Sequence, residues 1–289
     1  MDIESKKFLG QPKNFVSIFN ALLFDGQPVL KPEYLKDENS ELVMNVSSKH
    51  VDIIKRYEDG TYLDLFVIES QSYVDPSMVA RVMEYESVAR MRYIRQNFKK
   101  HVPMHTRLPM ILTVVLYVGE SKWNAAKRLS ELEIIHPGFE DMFNEFKLNL
   151  IELNTNHKYN TGEKATQDFF DLLRMIYRKQ VLKEDLDREF NRDALYFAYV
   201  VTKNKELLNI YQESEKGDVK VCRALDEMFE ESTNKGIQMG IKQGIECGVK
   251  NAQIKIAIKM LVRNNQTLEE ISEIVGLDLD ALRELKRSI

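Results

Sequence analysis

The stretch LFVIESQS, Leu65–Ser72, decides how this chain is read. Leu65, Phe66, Val67 and Ile68 form a short apolar run, the length of a buried strand. Glu69 and Gln71 follow, two residues apart. Strand side chains alternate between faces, so Val67, Glu69 and Gln71 share one. The strand therefore leaves its core carrying a carboxylate and an amide side by side.

Upstream, KHVDIIKRY (49–57) reads as a second strand, rich in Val, Ile and Tyr. Glu58-Asp59-Gly60 lies between, and Asp-Gly is a strong hairpin signal. With a two-residue turn at Asp59-Gly60, Glu58 faces Thr61 and Asp52 falls opposite Val67. Asp52 is then diagonal to Glu69 on the same face, roughly 7–8 Å away. Two carboxylates at that distance can share a divalent cation. Magnesium takes hard oxygen ligands, keeps several waters and needs only one or two protein carboxylates. Asp52 and Glu69 would supply charge, and the carbonyl of Ser70 a further ligand. Gln71 carries no charge, and its amide would orient water or a phosphate oxygen. His50 would share the face of Asp52 and reads as a structural histidine. Asp64 has the opposite parity to Glu69 and reads as exposed or structural.

Outward from this hairpin the pattern is α/β. NFVSIFNALLF (14–24) has helical spacing and ends at Asp25-Gly26, and ELVMNV (41–46) is a candidate strand. Asp75-Pro76 reads as an N-cap followed by proline at the first helical position, opening a helix that runs to about Asn97. LPMILTVVLYVG (108–119) reads as a central strand, and FKLNLIELN (146–154) as another. Strand, helix and strand from 62 to 118 imply a parallel crossover. After about residue 162 the strands are expected to stop, with amphipathic helices in TQDFFDLLRMIYRK (166–179) and REFNRDALYFAYVV (188–201). The expected division is a core over 1–160, a helical extension over 161–235 packed on it, and a helical tail over 236–289.

Composition narrows the function classes. With 289 residues, 44% of them hydrophobic and 30% charged, the chain can bury a sizeable core. No run of 18 apolar residues predicts a membrane span, and MDIESKKFLG lacks a secretory apolar segment. Cys222 and Cys247 form no CxxC, which fits a cytoplasmic protein without a disulfide framework. The net charge of −4 rules out a global basic field, so a nucleic-acid site must be local. One such site is the run from Val88 to Arg107, which carries Arg90, Arg92, Arg95, Lys99, Lys100 and Arg107 and no acid. Phosphate contacts from it would be sequence-independent and salt-sensitive. Arg81 and Tyr85, four apart on one helix face, face either the carboxylates and phosphate or the core.

The ordered series VDIIKRY (51–57), LFVIESQS (65–72), MVARVMEYE (78–86) and RLPMILTVVLYVGESKW (107–123) resembles the recombination-promoting nuclease (Rpn) family, often called putative transposases. NFVSIFNALLFDGQPVLKPEYL (14–35) resembles one branch of it. The resemblance covers most of the chain, less closely in its helical part. It implies a PD-(D/E)XK core and magnesium- or manganese-dependent DNA cleavage linked to recombination or mobile DNA, without a small-molecule cofactor. Asp52 and Glu69 match the metal-binding acids, and Gln71 stands where the superfamily usually has lysine. One departure is Ser17, where many relatives of this branch carry an acid. If that acid helps hold a second metal, activity is reduced here. The rival readings are a weakly active descendant that binds DNA or protein, and an RNase H-like transposase, for which a third acid is missing.

The tail differs. Gly236, Gly240, Gly244 and Gly248 recur every four residues beside Ile237, Ile241, Ile245 and Val249. Lys242, Glu246 and Lys250 exclude a membrane span, leaving a soluble helix that packs on another, as in a homodimer, or a frayed connector. TLEEISEIVGLDLDALRELK (267–286) carries a capping box at Thr267 and Glu270, a stop at Gly276 and a new N-cap at Asp278. Two short helices joined this way resemble half of a helix-turn-helix, but the acidic balance favours packing or a protein contact over groove binding.

Overall fold

The computed structural model describes residues 3–37, 53–60, 63–214 and 217–289. Two compact units divide the chain, Met1–Asp226 and Glu227–Ile289. The first opens with helices α1 (Ile3–Leu9) and α2 (Pro12–Phe24). Pro12 stands in the first turn of α2, and Asp25 and Gly26, both at positive φ, end it as the sequence suggests.

A five-stranded sheet follows in the order β1 (Leu35–Asp37), β2 (Ile53–Glu58), β3 (Leu63–Gln71), β4 (Ile111–Tyr117) and β5 (Asn149–Glu152). β2 pairs antiparallel with both β1 and β3, whereas β3, β4 and β5 run parallel. Helix α3 (Met78–Asn97) connects β3 to β4. Both β3 and β4 are buried on both faces, which explains their near-continuous apolar sequence. The odd residues Leu65 and Val67 pack with Ile54, Ile111 and, from α3, Tyr85 and Ala89. On the opposite face the Phe66 ring packs at a tilt against Phe19 of α2, 4.8 Å between centroids, and against Tyr57 at 5.7 Å.

The hairpin register differs from the two-residue turn expected from Asp59-Gly60. Glu58 faces Leu63, not Thr61, and Val67 faces Ile54. Four residues therefore join the strands. Because the offset from expectation is two residues, every side chain of β3 keeps its face. Asp52, the residue expected opposite Val67, lies outside the described residues, as do His50 and the candidate strand 41–46.

The helical part of this unit comprises α4 (Lys164–Arg178), α5 (Arg192–Thr202) and α6 (Lys205–Glu213). Phe8 of α1 stacks on Phe197 at 4.7 Å, and Phe169 lies 4.5 Å from Phe197. The N-terminal helix is thereby built into the helical core. Two expectations are corrected here. Strands do not stop at 162, since β6 (Glu189–Phe190) pairs with β7 (Val219–Lys220). The segment 188–201 is also not one helix. Asn191 caps α5 by accepting from the amides of Asp193 and Ala194, and the residues before it are extended.

Helix α7 (Cys222–Arg263) leads into the second unit, which also holds α8 (Leu268–Val275) and α9 (Leu279–Ser288). Ala257, Leu261, Ile271, Val275 and Leu282 form its core. The capping box at Thr267 and Glu270, the left-handed Gly276 and the Asp278 cap are all present. Residues 230–252, including the four-residue glycine series, are exposed on every side. No helix among the described residues is long and apolar enough to cross a membrane.

Candidate active site

Glu69 is 2% exposed near the carboxyl end of β3. Its neighbour two residues on, Gln71, donates from Nε2 to Glu69 Oε1 at 2.8 Å. This is the same-face pair that strand alternation requires. Helix α3 then brings in Arg81, whose Nη2 donates to the same Glu69 oxygen at 3.1 Å. Arg81 Nη1 lies 2.5 Å from Asp75 Oδ2, and Nη2 and Nε donate to the Tyr85 hydroxyl at 2.8 and 3.1 Å. Arg81 and Tyr85 are one helical turn apart, so a single helix face presents both.

Two carboxylates thus surround one guanidinium, and the cluster as ionised has a net negative charge. Burial opposes the charge on Arg81, yet Tyr85, Asp75 and Glu69 outweigh it and hold the guanidinium firmly protonated. Burial would likewise raise Asp75. The Ser77 hydroxyl and amide, together with Arg81, more than reverse this and leave its carboxyl below the usual range. Tyr85 moves up, chiefly through burial.

Asp75 is not the helix cap expected of it; Ser77 stands at that position. The helix begins later, at Met78, and Asp75 Oδ1 instead accepts from the amide and hydroxyl of Ser77 at 2.9 and 2.6 Å. Its other oxygen is left to hold Arg81. The sequence signal was present in Asp-Pro-Ser, which favours an Asx turn as readily as a cap.

The ends of the parallel strands converge here. Gln71 pairs with Tyr117, and Tyr117 with Glu152. Glu152 accepts from the Trp123 amide at 2.7 Å and pins the loop after β4. Tyr117 meets Trp123 edge-on at 5.2 Å. A Cβ at Gly119 would lie within 3 Å of both the Tyr117 hydroxyl and the Ser72 carbonyl, so only glycine fits. Glu86, also buried, accepts from the Thr113 amide at 3.1 Å and ties α3 to β4. Sequence reasoning passed over Glu86 and Glu152, because isolated acids at helix and strand positions are usually solvated.

The remaining candidates are dispersed. Ser70 is half-buried between Glu69 and Gln71 and pairs with Leu116 in the ladder. Arg90 is paired with Glu86 at 2.8 Å. Arg92 is half-buried, and Arg95, Lys99 and Lys100 are exposed. At 1.5 Å per helical residue, Arg95 lies about 20 Å along α3 from Arg81. These cations therefore do not line the Glu69 site. They lie toward the amino end of β4, whereas Glu69 lies toward the carboxyl end of β3. Ser17 is buried and bonds to Asn14 O and Thr166 Oγ1, both at 2.8 Å. Its helix packs through Phe19 on the sheet face opposite Glu69. Asp64 Oδ1 accepts from the Met110 amide at 3.1 Å, a structural bond.

The residues that would hold a divalent cation here are Glu69 through its carboxylate, Ser70 through its carbonyl and Gln71 through its amide oxygen. These hard oxygen donors fit magnesium better than a soft metal. Among the described residues no three His, Cys, Asp or Glu side chains cluster as a metal site.

No curated protein and no solved structure matches the chain. A family model does, over residues 33–207, which hold the sheet, α3 and the Glu69 cluster. On that match the chain belongs to the family described as putative transposase, YhgA-like.

Proposed function

We propose that the protein is a metal-dependent DNA endonuclease with a PD-(D/E)XK core and little sequence preference, acting in recombination or on mobile DNA. The observation that carries this reading is Glu69, buried at the exit of a central strand and bonded to Gln71. The antiparallel β2–β3 hairpin and the parallel β3–β4 pair linked by α3 agree with such a core.

Glu69 and Asp52 would hold magnesium or manganese with the Ser70 carbonyl. When bound, the cation would supply charge to a phosphodiester and acidify water. Gln71 orients the Glu69 carboxylate and offers an amide to a phosphate oxygen. Arg81 fixes Glu69 and Asp75 and lowers the cost of burying them. Arg90, Arg92, Arg95, Lys99 and Lys100 would track the DNA backbone along α3, toward the far end of the sheet. DNA touching both regions would have to lie along the helix. A second copy of the chain, meeting the first along the glycine series of α7, is part of the same proposal.

One observation favours a second reading, a weakly active protein that binds DNA or a protein partner. Arg81 already places a cation against Glu69. Plasmid nicking with magnesium or manganese separates the two, comparing the native chain with Glu69→Ala and Asp52→Ala at equal purity. Cutting by the native chain alone supports the nuclease. Equal behaviour of all three removes it.

A further inference from the structure

The helical part of the first unit contains a second charged site. Lys158, Arg174, Arg178 and Arg188 line a cleft of about 300 Å³, together with three acids, Asp171, Glu184 and Asp185. The charges are not evenly matched. Arg188 sits 2.9 Å from Asp171 and 3.6 Å from Asp185, and it also bonds to Asp168 at 2.7 Å. Much of the acidity is therefore spoken for by one guanidinium.

The other cations are less satisfied. The Arg174 side chain is only 12% exposed, and its nearest carboxylate oxygen, on Asp171, is 3.6 Å from Nη1, beyond an ordinary hydrogen bond. Its Nε is buried and has no hydrogen-bond partner among the described residues. Arg178 donates to the Thr155 carbonyl at 2.7 Å and the Asn156 side-chain oxygen at 2.6 Å, both neutral. Lys158 is exposed at the rim and makes no hydrogen bond or ion pair among the described residues. Burial pushes Arg174 below its ordinary pKa, with Asp171 offsetting part of this. A buried donor without a partner is costly and rare, and a guanidinium in a cleft whose Nε has no hydrogen bond calls for an acceptor. The planar fork of arginine fits a phosphate oxygen pair, and lysine adds a point charge.

We propose that this cleft binds a phosphate group, with Arg174 as its principal ligand and Arg178 and Lys158 completing the charge. The group could be free phosphate or the terminal phosphate of a nucleic acid. The inference does not rest on the nuclease reading, because none of these residues belongs to the Glu69 cluster.

Calorimetry on the full chain with inorganic phosphate tests it. Saturable binding is expected, weakened at least tenfold by Arg174→Gln and severalfold by Lys158→Ala, and unchanged by Glu69→Ala. Absence of saturable binding overturns the site. So does binding that Lys158→Ala and Arg174→Gln leave intact. Lys158 is exposed, so its variant decides the matter even if Arg174→Gln fails to fold. A parallel comparison of 5′-phosphorylated and 5′-hydroxyl oligonucleotides of one sequence distinguishes the sources. A preference for the phosphorylated end that Arg174→Gln abolishes assigns the site to nucleic-acid ends. Binding of inorganic phosphate without that preference assigns it to the free anion.

Discussion

Arg81 of α3 and Glu69 of β3, twelve residues apart in sequence, meet at 3.1 Å in the interior. The same guanidinium holds Asp75 at 2.5 Å. One cation thus fixes two buried carboxylates at the end of the sheet. Removing it takes the guanidinium away from both.

Arg81→Ala is therefore expected to lower the unfolding free energy by about 3 kcal/mol, the usual cost of breaking a buried pair from one side. Urea denaturation reads this directly. If Glu69 takes a divalent cation, magnesium should restore part of the loss, and it should fail to do so in Arg81→Ala/Glu69→Gln. A midpoint in Arg81→Ala that magnesium does not move would count against Glu69 as a metal ligand.

Gln71 gives a sharper view of chemistry than of stability. Its amide holds Glu69 and could face a phosphate, and lysine can do both. If the chain cleaves DNA as proposed, Gln71→Lys should keep plasmid cleavage within about tenfold of the native chain, whereas Gln71→Leu should lose on the order of 100-fold, the scale of one positioned polar group. Equal rates in both variants would show that the side chain has no part in the reaction.

Asp75 predicts a pH dependence. Its folded pKa lies below its ordinary value because Ser77 and Arg81 outweigh burial. The sign follows from linkage. The unfolded chain binds the proton more readily, so the stabilisation is complete above the unfolded value of about 3.9 and is lost as pH falls through the folded one. Urea midpoints between neutral pH and strong acid should drop less steeply in Asp75→Asn. An identical acid limb in the two proteins would show that Asp75 is not the group responsible.

How much of this could be read from the residues varies with the physics involved. That Glu69 shares a face with Gln71, and Arg81 with Tyr85, could be read by period alone, 2 in the strand and 3.6 in the helix, but not that the two faces meet. The Thr267 box and Gly276 were legible because capping is local. The hairpin length was not, since Asp59-Gly60 suits a longer connection as well as a tight one. Asp75 was misread for a related reason: one carboxylate can cap a helix or close an Asx turn, and Arg81 chooses the second by claiming its other oxygen. The run from Arg90 to Lys100 was legible as basic, but its place was not: α3 carries it away from Glu69, toward the amino end of β4. The β6–β7 pair has two residues per strand, too few for any periodicity.

Gly119 makes a steric prediction. The Ser72 carbonyl is backbone and cannot move aside, so Gly119→Ala forces the loop after β4 away from the end of β3. A destabilisation of about 1–3 kcal/mol is expected, measured by urea unfolding. Gly60→Ala serves as a contrast, because a Cβ there meets nothing within 4 Å and only its φ of +87° is strained. A smaller loss at Gly119 than at Gly60 would mean that the crowding is relieved elsewhere.

The glycine series of α7 separates helix stability from association. A Cβ at Gly240 or Gly244 meets nothing within 4 Å in the single chain. Alanine at each should therefore strengthen the isolated helix by about 1 kcal/mol, seen as higher helicity by circular dichroism at high dilution. If a second copy packs along Gly236, Gly240, Gly244 and Gly248, the same methyl groups hold the two backbones apart. Gly240→Ala/Gly244→Ala should then sediment as monomer at concentrations where the native chain forms dimers. Opposite signs in the two measurements are the signature of a close helix contact. A double variant that gains helicity and associates as well as the native chain would exclude the glycine series as the dimer surface. Its cost to helix propensity would then need another cause.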